Sequence, residues 1–305
     1  MWVKIRLLLG ILLLLVVGCT RNPDMLVIGA IEDTPAVFPL LNAYFSELII
    51  RDSVRIQFYS SEHSLNKALT KNRVDVAFLP FVWCVRNAGN NIQTPLLTPL
   101  QREGAALLSP QDNLTLSDLK NSSIGYMQAQ NLSSMLRILN KRDSLNMQLT
   151  GYKSSARMFS DLKKGTIRAA THTVPYLFEY IGSNTPFLWL GDEFPMYPST
   201  SVLVSPQIAA NKSTISRMRQ LAYLKRGIQI TSSFINGYPT QSYKTYVTIM
   251  NATSKASRLT LRRLRYNTFI SPDLSNYYRE IAREEGNGIQ FSESMFLPDS
   301  VVTPR

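Results

Sequence analysis

Apolar runs of a few residues alternate with amphipathic stretches through most of the chain, a pattern that predicts buried strands and helices in turn. Residues 25–31 (MLVIGAI) contain no charged position and read as a strand covered on both faces. Residues 35–50 (PAVFPLLNAYFSELII) follow as a helix with Pro35 in its first turn. Residues 54–59 (VRIQFY) alternate with period two, and residues 62–71 make a helix behind the candidate caps Ser60 and Ser61. A third strand, 74–79 (VDVAFL), stops at Pro80. The order β-α-β-α-β predicts a parallel sheet flanked by helices.

After a less regular stretch containing residues 104–109 (GAALLS), the pattern restarts. A turn at 116–119 leads into a strand at 123–127 and an amphipathic helix at 131–140. Strands at 149–152 and 167–170 flank a helix at 156–164. Laying residues 58–78 over 151–171 pairs Tyr59 with Tyr152, Ser61 with Ser154, Leu69 with Leu162, Lys71 with Lys164 and Ala77 with Ala170. Two lobes built from similar strand-helix-strand units are expected, with residues 24–110 and 199–305 in lobe 1, residues 111–198 in lobe 2, and two chain crossings between them. The tail 271–286 reads as a helix capped by Ser271, with Pro272 at its first position, packing back on lobe 1.

The amino terminus has a different logic. Lys4 and Arg6 precede the apolar run 7–17, which ends at Val16-Val17-Gly18-Cys19. That run is too short to span a bilayer and has the layout of an export signal. It resembles a bacterial lipoprotein signal, which implies removal of residues 1–18, a mature chain beginning at Cys19 with lipid (diacylglycerol, then palmitate) on its thiol, and a tether over 19–23. The expected location is the cell envelope, anchored on the extracytoplasmic side of a membrane.

Composition narrows the classes that remain. With 45% hydrophobic and 18% charged residues in 305, the chain is a folded globular protein. Two Cys and two His leave no room for a disulfide framework or a Cys-rich zinc module, so no metal and no cofactor are expected. The formal charge is +12, and no carboxylate occurs in residues 194–272, which carry eleven Lys and Arg. An exported protein without a zinc finger or RNA-binding motif is not expected to meet nucleic acid. The basic segment fits either attraction to anionic lipid or solvated helix faces. No Gly-x-Ser-x-Gly turn or phosphate-gripping glycine loop is visible, and the adjacent pairs Asp192-Glu193 and Glu284-Glu285 sit in polar stretches, so no enzyme is expected.

Four passages together resemble a known family: 28–45 (IGAIEDTPAVFPLLNAYF), 71–77 (KNRVDVA), 114–126 (LTLSDLKNSSIGY) and 197–210 (YPSTSVLVSPQIAA). Their order is similar to the type 2 periplasmic solute-binding proteins of ABC importers, in particular the group that binds nitrate, taurine, alkanesulfonates and thiamine precursors. The resemblance implies an α/β, two-lobed periplasmic-binding-protein-like fold, each lobe a mainly parallel sheet flanked by helices. It implies capture of a small organic nutrient between the lobes and delivery to an ABC permease by a monomer. A sensor or scaffold on the same fold, or an enzyme that reuses it, are the alternatives. Arg168-Ala169 and the stretch 171–175 (THTVP) depart from the family's pattern near the expected cleft, so its ligand is not named by analogy.

In open parallel sheets ligands sit beyond the carboxyl ends of strands, which here hold Asp33 and Thr34, Ser60 and Ser61, Phe81 and Trp83, Gln128 and Asn131, and Thr171 and His172. Tyr197 is a further aromatic wall. Each has a structural reading: helix caps for Ser60 and Ser61, core packing for Phe81 and Trp83, a helix-dipole partner for Asp33, a hydrogen-bonded scaffold residue for His172. The first-lobe ends contain carboxylates, Glu32, Asp33 and Glu62, and no Lys or Arg. An amine or heteroaromatic solute is therefore expected, with Trp83 or Tyr197 stacking on it, one of these carboxylates accepting its donors, and Gln128, Asn131 and Thr171 completing the bonds. Cys84 is expected to be a small buried apolar residue.

Overall fold

A computed structural model describes residues 24–31, 34–110, 114–128, 132–174, 177, 187–210, 213–251, 260–285, 291–292 and 295–297. The expected leader, the tether and Cys19 lie outside these, as do Asp33 and Asn131.

The opening βαβ units form as their patterns predict. Strand β1 (Leu26–Ile31) sends Leu26, Ile28 and Ala30 into one hydrophobic cluster and Val27 into another, so both faces are buried. Residues 35–37 form a 3-10 turn that runs into α1 (Phe38–Phe45). This helix ends five residues short of expectation. Glu47 takes a φ of 58°, and the Leu48 N–H returns to the Ala43 carbonyl at 3.0 Å, a Schellman closure that leaves Ile49 buried and Ile50 outside. Strand β2 (Val54–Tyr59), helix α2 (Glu62–Thr70) and strand β3 (Val76–Leu79) follow, and α3 (Val82–Gly89) begins directly beyond β3.

Strand β4 (Leu96–Glu103) was not legible beforehand, because Pro99 interrupts it. Its pairing with β10 (Pro198–Val204) shifts register around that proline. One residue later β5 (Ala105–Leu108) enters a different sheet. The second lobe continues with β6 (Ser123–Met127), α4 (Leu132–Arg142), β7 (Gln148–Tyr152), α5 (Ser155–Lys163), β8 (Ala169–Thr173) and β9 (Phe187–Trp189). Two short helices, α6 (Leu190–Glu193) and α7 (Pro206–Ala209), flank β10. Helices α8 (Ile215–Gly237) and α9 (Pro239–Met250), edge strand β11 (Leu264–Tyr266) and helix α10 (Pro272–Glu285) complete the described elements.

The sheets run β11-β4-β10-β3-β1-β2 and β7-β6-β8-β5-β9. Within them β2-β1-β3 and β7-β6-β8 are parallel and have the same order, which is the arrangement the repeated segments foreshadow. Ser61 and Ser154 both cap the following helix, accepting from Ser64 N and Arg157 N. Tyr59 and Tyr152 both lie over a glycine of the neighbouring strand, Gly29 and Gly125, where an added Cβ would meet the ring at 3.4 and 3.0 Å. The expectation of mainly parallel sheets needs correction, since β10, β4, β11, β5 and β9 all pair antiparallel. A strand that enters a sheet by crossing from the other lobe is not bound to the right-handed βαβ connection that makes neighbours parallel.

The chain first passes from one sheet to the other at Gly104, between β4 and β5. Gly104 has a φ of 80°, and a Cβ there would come 2.4 Å from Leu264 of the first sheet and 3.1 Å from Val174 of the second lobe. The second crossing runs from β9 through α6 to β10. Helix α10 starts at the expected cap, with Leu274 N donating to Ser271 Oγ at 3.2 Å. It packs on α3 of the first lobe and also on α4 of the second.

Candidate functional site

A cavity of about 70 Å³ lies between the lobes. From the first lobe come Thr34 beyond β1, Glu62 at the start of α2, Pro80 beyond β3, Gln101 on β4, and Tyr197 and Thr200 at β10. From the second come Ala105 on β5, Leu132 and Met135 on α4, and Thr173 and Val174 at the end of β8. Strands β1, β3 and β8 all deliver their carboxyl ends here, where loops leave backbone and side-chain groups free of the ladder.

Among the described lining residues Glu62 is the one carboxylate, and no Lys, Arg or His stands beside it. Burial pushes Glu62 up to about 8, although the Trp83 indole N–H, which donates to it at 3.4 Å, and the Arg86 charge act the other way. Arg86 in turn lies over the Trp83 ring, 5.4 Å from its centroid. Gln101 is buried, and its Oε1 has no hydrogen-bond partner among the described residues. Tyr197 is buried, with its hydroxyl pushed well above the ordinary range by burial. It packs edge-on against Phe194 and Tyr277.

Of the residues singled out from the sequence, Thr34 and Tyr197 line the cavity. Ser60 and Ser61 are exposed, and Ser61 serves as the cap of α2. Trp83 is half-buried and reaches the cavity only through Glu62. Phe81 belongs to the core instead of the cleft: it is fully buried 4.2 Å from the Tyr278 ring, because α3 begins at once after β3 and turns it inward. Gln128 is exposed and donates to the Gly151 carbonyl at 3.3 Å.

Thr171 and His172 also lie off the cavity. Strand pleating puts Thr171 and Thr173 on one face, and it is Thr173, two residues nearer the strand end, that reaches the wall. Thr171 is fully buried, with its hydroxyl unpartnered among the described residues. His172 points to the opposite face, where Nε2 meets Ser155 Oγ at 2.8 Å and Nδ1 accepts from Thr173 N at 2.8 Å. Burial pushes its imidazole down to about 4, so it is neutral at pH 7. Cys84 is buried and its thiol is pushed up to about 12.

Glu62 carried a visible signal, a carboxylate at a strand end. Gln101, Thr173, Leu132 and Met135 carried none, since their place on the wall depends on how the lobes meet.

Solved structures match this architecture over nearly the whole chain. The ligand-binding component of an ABC-type import system from Staphylococcus aureus, with zinc bound, gives a TM-score of 0.70 at 13% identity, covering 91% of this chain and 97% of that one. The fold is that of the periplasmic binding proteins. The periplasmic aliphatic sulphonate binding protein of Escherichia coli gives 0.67 at 14% identity, covering 86% and 87%. The alkanesulfonate-binding protein of Xanthomonas axonopodis pv. citri, bound to MOPS, gives 0.66 at 14% identity, covering 92% and 96%. No family model and no curated protein sequence matches the chain. Among the described residues of this periplasmic-binding-protein fold, no group of three His, Cys, Asp or Glu is placed to hold a metal ion. No described helix is long and apolar enough to cross a membrane.

Proposed function

We propose that the protein captures a small organic nutrient between its lobes and hands it to the permease of an ABC importer, while a lipid on Cys19 holds it on the extracytoplasmic side of a membrane. The observation that carries this reading is a cavity walled by both lobes, in a fold shared with ABC-type binding components. The two crossings, at Gly104 and through α6, supply a hinge on which the lobes close over a solute. On strand pairing, the lobes divide at Gly104 and just before β10. The protein works as a monomer, one solute to a chain.

The wall chemistry sets the solute class. With one carboxylate, no Lys or Arg, and the hydroxyls of Thr34, Tyr197 and Thr200 on the described wall, the cleft favours a solute that offers N–H donors, such as an amine or an aminoheterocycle. Nitrate or a sulfonate would find no Lys or Arg on the described wall to pair with. Binding proceeds without turnover, as the fold shared with the ligand-binding component of an import system supports.

Thermal-shift screening of the purified protein against amines, aminoheterocycles, nitrate and sulfonates tests this. A true ligand at a hundred times its dissociation constant stabilises by about 2.7 kcal/mol. The scattering radius is expected to fall when that ligand is added. Chemical turnover of the ligand, or an unchanged radius at saturation, overturns the reading.

A further inference from the structure

Helix α8 carries four of the eleven Lys and Arg of the basic segment 194–272, and one of its two sides is covered. Leu221, Leu224, Ile228 and Ile235 are buried, and Asp75 meets the buried Arg217 at 3.5 Å. The uncovered side is not the polar surface that an ordinary amphipathic helix presents. Tyr223, Ile230, Phe234 and Tyr238 follow one another at spacings of seven, four and four, and are 40% to 55% exposed. At 1.5 Å per residue this apolar line extends for about 22 Å.

The line is widened by the loop after α1. Gly227 lies between Tyr223 and Ile230, and a Cβ there would come 3.2 Å from Ile49, so the loop packs directly beside the helix. That contact buries Ile49 and leaves Leu48 and Ile50 exposed on either side of it. Arg219 and Arg226, both exposed, lie on the same helix side as the apolar line. The adjoining loop adds Glu47 and Asp52, with Arg51 bridging to Glu47 at 3.5 Å. The helix itself has no carboxylate to offset its arginines.

We propose that this face, the exposed side of α8 with Leu48 and Ile50, docks on an anionic lipid surface. Arginine beside exposed tyrosine, phenylalanine and isoleucine matches the two layers of a membrane interface: charged headgroups outside and acyl carbon just beneath. A convex helix edge suits a plane better than it suits a pocket. A second copy of the chain fits poorly, because a two-fold contact would bring four arginines from two carboxylate-free helices into one interface. The docked face turns the first lobe towards the bilayer and holds the cleft at a fixed attitude above it.

The chain from Thr20 onward keeps every described element and has no Cys19, so any lipid binding it shows is its own. It is to be sedimented with vesicles of phosphatidylglycerol and phosphatidylethanolamine, and with vesicles of phosphatidylcholine alone. Binding to the anionic vesicles only is expected, lost in about 0.5 M salt, where exposed charges are screened within a few ångströms. Arg219→Glu with Arg226→Glu should weaken it at least 25-fold, at about fivefold per charge removed. Tyr223→Ser with Phe234→Ser should weaken what remains in salt-free buffer. Lys163→Glu with Lys164→Glu, exposed at the end of α5, should change it less than twofold. Unfolding midpoints of the charge variants serve as the folding control. No binding, equal binding to phosphatidylcholine, or equal loss in the α5 variant overturns the proposal.

Discussion

The Glu285 carboxylate, at the last residue of α10, accepts a 2.9 Å hydrogen bond from the Ser134 hydroxyl on α4, tying a helix packed on the first lobe to one of the second. Ser133 donates to the same oxygen at 2.9 Å, and Arg86 of α3 reaches the other at 2.8 Å. A buried charge is tolerated here because every neighbour is a donor. Glu285→Ala is expected to lower stability by about 2 kcal/mol, the worth of charge-assisted bonds lost at once. Urea unfolding midpoints measure it. Burial pushes Glu285 up, but Arg86 and the serine hydroxyls outweigh it and hold the carboxyl below its usual 4.5. Its contribution is therefore full above that value and is lost as the pH falls through the lower folded value, so the gap between wild type and Glu285→Gln should narrow in acid.

Glu62 should behave in the opposite sense. Its carboxyl moves from 4.5 in the unfolded chain to about 8 in the folded one, so the folded state holds the proton more tightly. Stability attributable to Glu62 is present below pH 4.5 and declines as the pH rises towards 8. Glu62→Gln should raise the melting temperature at pH 8 and leave it unchanged at pH 4. A parallel offset at both would remove burial as the cause.

Asp75 holds the first lobe together from inside. Its Oδ2 accepts from Val27 N at 2.8 Å, and its Oδ1 lies 3.5 Å from Arg217, with both side chains buried. Asp75→Ala strands the guanidinium of Arg217 and frees a strand amide, a loss of about 3–5 kcal/mol. Replacing both, Asp75→Leu with Arg217→Met, should cost less than the single change. Denaturant titration of the three proteins, wild type included, decides between the two outcomes.

Gly104→Ala tests the crossing. The residue sits at a φ of 80° and its new methyl would press on Leu264 at 2.4 Å, so about 1–3 kcal/mol of strain and crowding is expected. Gly165→Ala is the control, with a φ of 72° and open space around the site. Comparison of the two by calorimetry separates backbone strain from crowding at the hinge. Equal losses would leave the hinge contacts without weight.

Much of the local architecture was readable because it is made locally. The helix caps Ser61, Ser154 and Ser271 bond to amides three residues away, and the Tyr59 and Tyr152 segments repeat because each strand-helix-strand unit solves the same packing problem. Helix α8 was missed because its 23 residues mix buried Arg217, Gln220, Thr231 and Ser232 with exposed Tyr223, Ile230 and Phe234, which blurs the apolar stripe. The cavity wall was harder still. Of the three carboxylates at the first-lobe strand ends, Glu62 stands on the wall and Glu32 and Asp33 lie outside the described residues, while Phe81 packs in the core.

Periodicity and capping, which act within a few residues, were enough to determine the βαβ units, their caps and the pairing of similar lobes. The sheet to which β5 belongs, the antiparallel insertion of β10, and the meeting of Glu62, Gln101 and Thr173 on one wall were decided only in three dimensions. Those contacts join residues tens of positions apart, and no local pattern encodes them: they exist only once loop closure has been offset by the burial of both lobes.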